Sequence, residues 1–362
     1  MKFFFDARYI RTDFHDGISR YTHELAWALY KLKPDTTFII SYEKQLSLLP
    51  KGAAHIKIHP VTSWKEPFTA FTLNRFHPEV VATPLQSMGS FGRQFKLILN
   101  QQDMTYYKHP TPPSNFPWYV RFAWRLYHFT YWPGRWTLNG ADIVATVSET
   151  SKREIEKVHL TKRPIIVVPN AARDLSDFLK KPVTQKITSP KNLVFMGSLL
   201  PHKNAMTLVK AMEFLPDRTL HLLSRGSADY IKKLKAAVPN KAEVVFHNGV
   251  SDEEYAQILV DDAIMVSASK SEGFGLPLAE ALKLGVPCVV SDIPPFHEVA
   301  GEGALFADPN DPKHFADKIM ALDGKEAREK LIEIGRRHID SFSWEQSARV
   351  LLGAAESLFD KS

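Results

Sequence analysis

The sequence has one cysteine and no long apolar run, and each shortage excludes a class of protein. With Cys288 as its single cysteine, the chain has neither an intramolecular disulfide framework nor a cysteine-based zinc cluster. No stretch approaches the roughly 18 uncharged apolar residues of a membrane-spanning helix. The start of the chain has an apolar run of only three residues before Asp6, too short for a signal peptide. We therefore expect a soluble protein of the cytoplasm.

The composition is that of a globular protein with two domains. Of the 362 residues, 44% are hydrophobic and 24% are charged, which allows two cores and argues against wholesale disorder. Residues 1–170 carry 22 Lys and Arg against 13 Asp and Glu (net +9), whereas residues 171–362 carry 24 against 27 (net −3). The basic first half indicates an anionic partner, such as a membrane surface or a phosphorylated substrate. It is equally explained as a charge that only keeps the chain in solution.

Short apolar runs alternate with helix-like segments along the whole chain. The predicted strands are 2–5, 37–41, 80–82, 96–100, 143–146, 165–168, 192–196, 219–223, 244–246, 263–266 and 287–290. Most are unbroken aliphatic runs, which is typical of parallel strands covered on both faces. The amphipathic segments include 19–32, 252–260 and 313–322. This alternation predicts two doubly wound α/β domains.

A segment that mixes Pro, Ser, Thr and Lys without a regular period predicts where these domains meet. We expect an N-terminal Rossmann-like domain over 1–173, a linker over 174–191, and a C-terminal Rossmann-like domain over 192–342. Residues 343–362 form a further predicted helix, capped by Ser343, which we expect to pack back on the N-terminal domain. Because open parallel sheets bind ligands beyond the carboxyl ends of their strands, a ligand is expected in a cleft between the domains.

The most informative stretch is 269–290, where a predicted strand leads into a Ser- and Gly-rich loop and then a helix near Leu276. Gly273 and Gly275 allow a ligand to approach the backbone closely, and the free N–H groups of the helix start favour an anion. Glu272 and Glu280 flank this anion site. They are either acceptors for hydroxyls, with a sugar on one side and a ribose on the other, or solvated carboxylates of a plain strand–turn–helix.

The amino-acid sequence of this stretch resembles that of a known family. Residues 272–281, EGFGLPLAEA, closely resemble the Glu-x7-Glu signature of family 4 retaining glycosyltransferases, which have the GT-B fold of two Rossmann-like domains facing a central cleft. Residues 281–299, 194–204 (VFMGSLLPHKN) and 246–258 resemble the same family, in the expected order.

The resemblance implies a role for each matched residue of the second half. Glu272 would hold hydroxyls of the donor hexose, and Glu280 would accept from the ribose. Lys203 would neutralise the diphosphate, and Val250 would pack against the nucleobase. The backbone N–H groups that would face the hexose and diphosphate, with Gly273 allowing their approach, are those of Phe274, Gly275 and Leu276.

The sequence departs from the family at several positions. Ser198 and His202 stand where many relatives carry an arginine, and Arg225 either supplies the missing cation or is only solvated. Gln102 stands where family members commonly have the histidine of a His-Asp pair, followed here by Asp103. An amide cannot shuttle a proton, so an acid–base role of Gln102 is in doubt; the alternative is a turn in which Asp103 caps the next segment.

The first half contains the expected acceptor side. Residues 13–21 resemble the family's first loop, in which Gly17 would lie under the donor phosphate. Arg20 would contact an acceptor phosphate or is simply solvated. An aromatic and basic run follows at 116–136, interleaved with Arg121, Arg125 and Arg135. We expect part of it in the core and part against a saccharide, a lipid-linked acceptor or a membrane surface.

Absent motifs narrow the chemistry further. There is no Asp-x-Asp triplet, no P-loop, no complete dinucleotide fingerprint and no zinc-binding histidine spacing, so we expect neither a metal nor a cofactor. The basic half has no nucleic-acid motif. The likeness indicates a metal-independent retaining hexosyltransferase, with GDP-mannose as the donor and UDP-glucose and UDP-N-acetylglucosamine still open. The alternatives are a catalytically weak sugar-nucleotide-binding protein and a GT-B sugar-nucleotide epimerase.

Overall fold

The computed structural model describes residues 1–13, 16–112, 118–179 and 190–359, except for the side chain of Ala123. The chain divides into two compact units. The first consists of Met1–Asn170 together with Ser343–Ser362, and the second is Ala171–Phe342. The first unit is therefore built from both ends of the chain, with the second unit inserted between them.

A seven-stranded parallel sheet forms the centre of the first unit. In spatial order its strands run β3-β2-β1-β4-β5-β6-β7. Their bounds are β1 Phe3–Asp6, β2 Thr37–Ile40, β3 His55–Lys57, β4 Val80–Thr83, β5 Lys96–Asn100, β6 Ile143–Thr146 and β7 Ile165–Val167. Every residue of β1, β4 and β6 is buried, because helices cover both faces of the sheet centre.

Among the described residues of the first unit, six α-helices lie between its strands. They are α1 Gly17–Leu32, α2 Thr69–Asn74, α3 Thr105–Lys108, α4 Trp118–Phe129, α5 Trp132–Asn139 and α6 Glu149–Lys157. Helix α1 begins two residues before the predicted start, because Asp16 caps it by accepting from the Ser19 N–H at 2.9 Å.

The second unit is built on a six-stranded parallel sheet in the order β10-β9-β8-β11-β12-β13. The strands are β8 Asn192–Phe195, β9 Thr219–Leu222, β10 Glu243–Phe246, β11 Ala263–Ser267, β12 Cys288–Ser291 and β13 Leu305–Ala307. Its α-helices are α7 Ala205–Ala211, α8 Ala228–Ala236, α9 Asp252–Val260, α10 Leu276–Leu284, α11 Pro294–Ala300, α12 Pro312–Met320 and α13 Lys325–Ile339. The strand order places β8 and β11 at the sheet centre, where they are paired on both sides.

The last helix, α14 Trp344–Glu356, belongs to the first unit and packs on α1. Ser343 caps it as the sequence predicts, by accepting from the Gln346 N–H at 3.1 Å. The ring of Trp344 meets that of Tyr21 edge to face at 5.9 Å, and the Ser347 hydroxyl donates to the Pro169 carbonyl at 2.6 Å.

The prediction of two doubly wound parallel-sheet domains is confirmed. Each of the eleven predicted strands is present with both ends within one residue, while β3 and β13 were not predicted. Most of the predicted linker, at 180–189, lies outside the described residues, as do positions 14 and 15 of the predicted first loop. The described part of that linker includes a short 3-10 turn, Leu175–Phe178, that packs on α9 and α10 of the second unit.

Candidate functional site

Four strands of the second unit end next to one another and bring several predicted site residues to one edge of its sheet. Ser198 follows β8, Arg225 follows β9, Val250 follows β10, and the loop with Glu272 follows β11. In a parallel sheet these carboxyl ends share one edge, which is where such sheets bind ligands. The residues that the sequence distributes over 198–280 therefore converge locally.

Backbone contacts hold the loops after β8, β9 and β10 together. The Gly197 N–H donates to the Ser224 hydroxyl at 3.1 Å, and the Gly249 N–H donates to the Leu223 carbonyl at 2.8 Å. The side chain of Arg225 lies over Gly249, where an added Cβ would come within 2.8 Å of the Arg225 Nε. Arg225 thus borders the segment that leads to Val250, the predicted contact for a nucleobase.

The loop after β11 has a conformation that only glycine accommodates at one position. Gly275 has φ +102°, in the left-handed region, and a Cβ there would come within 2.7 Å of the Phe296 ring. The neighbouring Phe274 is buried, with its ring 5.5 Å from that of Phe342. Helix α10 starts at the next residue, Leu276, as the sequence predicts, with Pro277 in its first turn.

The start of α10 is a suitable place for an anion. The helix has nine residues, so its N–H groups and dipole favour negative charge at this end. Its first turn contains no acidic residue that would already satisfy this preference. Gly273 and Gly275 come immediately before it, so the backbone of the loop is not shielded by a Cβ at these two positions.

Lys203 and Glu272, which the sequence predicts for the same site, form an ion pair. The Lys203 Nζ lies 2.6 Å from Glu272 Oε2, and the two side chains are 20% and 13% exposed. Lys203 ends a 3-10 turn, Pro201–Lys203, that is bound to the β11 loop. The His202 carbonyl accepts from the Lys270 N–H at 2.8 Å, and the Asn204 amide donates to the Ala268 carbonyl at 3.0 Å. The ammonium group is therefore fixed beside the glycine loop rather than free on the surface.

Glu280 is buried inside α10 and lies close to a cation that sequence reasoning missed. Its carboxylate is only 1% exposed, and Oε1 lies 3.7 Å from the Arg173 Nε. The Arg173 guanidinium also donates to both carboxylate oxygens of Asp252, at 2.6 and 2.9 Å, and stacks on the Phe178 ring at 4.7 Å. Burying a carboxylate is costly without such partners. No local pattern indicates Arg173, which is 79 residues from Asp252 in the chain.

The predicted residues of the first unit have well-defined local positions. Gly17 is the first residue of α1, and Arg20 is half-buried in its first turns. After β5, the Gln102 amide donates to the Pro84 carbonyl at 2.9 Å, and Asp103 accepts from the Thr105 N–H at 2.8 Å. Asp103 thus serves the turn before α3, and the roles of both residues in catalysis stay predictions.

The aromatic run forms α4 and α5 and is far more exposed than the expected core packing of part of it suggests. None of the described side chains of α4 is fully buried, and Arg125 is exposed while Arg121 is half-buried. In α5 only Gly134 and Leu138 are buried. Phe116 lies outside the described residues. The physical reason is that α4 packs mainly on α3 and α5, and the four residues of α3 cannot cover a twelve-residue helix.

Other sites are less well supported. The described residues contain no group of three His, Cys, Asp or Glu that could hold a metal, and independence from metal stays a prediction. No described helix combines the length and the apolar character needed to cross a bilayer. An open hollow of about 660 Å³ in the second unit is lined by Lys210, Glu213 and Lys313 among others, but by none of the predicted site residues.

Two family models match the chain and together cover most of both units. Residues 15–173 match the model described as Glycosyltransferase Family 4, and residues 177–338 match the model described as Glycosyl transferases group 1. The second match includes the β8 to β11 strand ends, Lys203, Glu272 and Glu280.

Individual relatives agree with these models. The chain is 33% identical over 184 residues to the O-antigen chain mannosyltransferase RfbU of Salmonella typhimurium, covering 50% of each chain. It is 29% identical over 238 residues to the O-antigen chain mannosyltransferase B of Escherichia coli, covering 61% of this chain and 62% of that one. The matches thus span about half to three fifths of the length of these relatives.

Solved structures show the same fold over nearly the whole chain. A sucrose-phosphate synthase of Thermosynechococcus elongatus has a TM-score of 0.75 at 16% identity, and 99% of both chains is covered. The Anabaena protein Alr3699/HepE, solved with UDP and glucose, has a TM-score of 0.72 at 15% identity, with 99% of this chain and all of that chain covered.

The two family models define the class as that of glycosyltransferases, and the two parallel sheets with the likeness to these structures show the GT-B fold. Within this class, residues 15–173 belong to glycosyltransferase family 4, and residues 177–338, which contain the motifs at 194–204, 246–258 and 272–281, belong to the glycosyl transferases of group 1.

Proposed function

We propose that the protein transfers a hexose from a nucleotide diphosphate sugar to a saccharide or lipid-linked acceptor, and that it does so in the cytoplasm. The observation that carries the proposal is the Lys203–Glu272 pair at 2.6 Å beside the glycine loop that opens α10. A cation and a helix start suit a diphosphate, and a carboxylate suits sugar hydroxyls. The likeness to O-antigen mannosyltransferases supports a saccharide product.

Different residues of the second unit would bind different parts of the donor. The diphosphate would accept hydrogen bonds from the N–H groups of Phe274, Gly275 and Leu276. The Lys203 ammonium would contact both the diphosphate and Glu272. Glu272 would then orient hexose hydroxyls. Buried Glu280, held near Arg173, would accept from the ribose, and Val250 would contact the base.

We propose transfer with retention, on the face from which the leaving group departs. The acceptor hydroxyl oxygen bonds to the anomeric carbon as the bond from that carbon to the phosphate oxygen breaks. The electron pair of the broken bond stays on the leaving nucleoside diphosphate, and a phosphate oxygen takes the hydroxyl proton. Lys203 and the α10 start stabilise the charge that develops there. This route needs neither a proton-shuttling side chain at Gln102 nor a metal.

For the donor we propose GDP-mannose. The support is the likeness to two mannosyltransferases, whereas the Anabaena relative of the same fold was solved with UDP and glucose. A thermal-unfolding panel with UDP, GDP, ADP and their sugars tests the choice. A nucleotide at 100 times its dissociation constant stabilises the folded protein by about 2.7 kcal/mol. Stabilisation by UDP compounds alone would identify the donor as a UDP sugar instead of GDP-mannose. Stabilisation by none of the compounds would contradict a nucleotide-sugar site.

Replacing Glu272 tests the proposed chemistry. We expect Glu272→Ala to lower the rate of transfer at least about a hundredfold, the scale of losing one preorganised group at a reacting centre. Glu302→Ala, at an exposed carboxylate of the same unit, is the matched control. Near-normal turnover by Glu272→Ala would remove this residue from the site. Donor binding without transfer to any acceptor would favour a binding protein, and conversion of the donor without acceptor would favour an epimerase.

A further inference from the structure

Helices α4 and α5 expose an aromatic surface of a kind that water-soluble proteins normally bury. Phe129, Trp132 and Trp136 are each at least 70% exposed, and Phe122 is 58% exposed. Large exposed apolar patches mark places where a protein meets another surface. The family resemblance assigns these side chains no part in binding the donor.

Four large apolar residues of α4 are arranged along one face of the helix. Trp118, Phe122, Leu126 and Phe129 follow one another at spacings of four, four and three, which places them along one stripe. All four are more than half exposed. The other face packs inward, where the Trp124 ring lies 5.0 Å from that of Tyr106. The outward stripe is thus a surface of the chain and not a poorly packed part of its core.

The segment that contains this stripe carries charge of one sign. The sequence has no Asp or Glu between Asp103 and Asp142, and over the same span it has four cationic side chains, Lys108, Arg121, Arg125 and Arg135. Lys108 is paired with Glu154 of α6, so the three arginines supply the positive charge on which the inference depends. Arg125 is exposed and follows Phe122 by three positions, so it projects beside the aromatic stripe. The whole first half of the chain adds to this field with its net charge of +9.

We propose that α4 and α5 form a docking surface for an anionic lipid bilayer, on which they lie in the plane of the headgroups. Tryptophan and phenylalanine rings partition into the headgroup boundary, while arginine binds lipid phosphate. A second copy of the chain is disfavoured, because two such surfaces would bring like charges together. A neutral saccharide would stack on the rings but would give no reason for the absence of acidic residues.

Vesicle binding tests the proposal without any assumption about the transfer reaction. The full chain is mixed with vesicles of phosphatidylcholine alone or with added phosphatidylglycerol, and binding is measured by flotation. We expect binding to the anionic vesicles only, weakened by salt at about 0.5 M, where screening is strong. Phe122→Ser/Phe129→Ser/Trp132→Ser should weaken binding at least about a hundredfold, because three rings lose their apolar contact. Arg125→Glu should weaken it about thirtyfold, from roughly fivefold for each unit of charge.

Matched variants and a second measurement make the outcomes distinct. Tyr42→Ser and Lys44→Glu alter an exposed aromatic residue and an exposed cation elsewhere in the first unit, and should bind like the unaltered chain. Circular dichroism checks that all variants are folded. Absence of binding, or equal binding by the aromatic variant, overturns the proposal. A different result also overturns it: no vesicle binding, together with sedimentation that shows a dimer for the unaltered chain and a monomer for the aromatic variant. The surface would then bind a second copy of the chain.

Discussion

At the scale of single residues, Arg173 is the group whose importance the structure changes most. It donates to both oxygens of Asp252 and lies 3.7 Å from the buried Glu280. If Glu280 receives the donor ribose, Arg173 acts through it as a positioning residue. Removing one member of a buried charge cluster costs more than the cluster contributes as a whole, because the remaining carboxylates lose their compensation.

A double-mutant cycle between Arg173 and Glu280 tests this coupling. We expect Arg173→Met to lower the free energy of unfolding by about 2–3 kcal/mol and to raise the KM for the donor more than it changes kcat. In a Glu280→Gln background the same replacement should cost at least about 1 kcal/mol less, since the fully buried carboxylate is gone and only the half-buried Asp252 loses its cation. Urea unfolding and initial rates supply both numbers. Strictly additive effects on the free energy of unfolding and on KM would show that the two residues act independently.

At the scale of elements, His128 links the attachment of α4 to pH. Its ring packs on those of Trp124 at 4.0 Å and Tyr107 at 5.1 Å, and its Nδ1 lies 2.9 Å from the Trp124 carbonyl oxygen. Burial lowers the pKa of His128 below its ordinary value of 6.5, and the contact with the Trp124 carbonyl opposes part of this shift. The folded chain therefore holds the neutral ring, whereas the unfolded chain binds a proton more readily.

The sign of the pH effect follows from this difference. As the pH falls through 6.5 towards the lowered pKa of His128, the unfolded state gains protons first and stability is lost. Burial lowers the pKa of His59 and His221 in the same way, so a chain without His128 still loses some stability as the pH falls. We expect His128→Gln to lose less stability than the unaltered chain between about pH 7.5 and about pH 5. Urea titrations at several pH values measure this, and equal slopes would mean that His128 does not contribute.

The elements that could not be predicted have at most a weak local signal. Strand β3 has only three residues, of which His55 and Lys57 are exposed, so no apolar run reveals it. Strand β13 is apolar, but it is equally short and lies at a sheet edge. The buried runs of the sheet centres, by contrast, predicted their strands to within one residue, because burial on both faces requires an unbroken apolar sequence.

The same distinction applies to the candidate site. Gly275, Glu272 and the start of α10 lie within a few residues of one another, so a local motif predicts them. Lys203 could be predicted only through the family resemblance, and its ion pair with Glu272 spans 69 residues of the chain. Arg173 has neither a local motif nor a matched position. The exposure of α4 could not be predicted from the sequence either, because it depends on how few residues of the first unit pack against that helix.

At the scale of the whole molecule, the chain separates the proposed donor site from the proposed membrane surface. The start of α10, where the diphosphate would bind, and the Arg173–Glu280 contact both lie within the second unit. The aromatic surface lies within the first unit, which the chain completes only when α14 returns to pack on α1. Each unit has its own parallel sheet and its own core, so a ligand can stabilise one of them selectively.

Hydrogen exchange with and without nucleotide tests this separation. With GDP at about 100 times its dissociation constant, local opening of the site costs up to about 2.7 kcal/mol more, which slows exchange about a hundredfold there. We expect this protection at 198–204, 224–226, 249–251 and 272–280, and not in the strands of the first unit. Guanosine is the control, since it lacks the diphosphate that the α10 start would bind. Protection that centres on the hollow beside Lys210 and Lys313, or on β1 and β4, would place the nucleotide elsewhere and remove the physical basis of the proposed function.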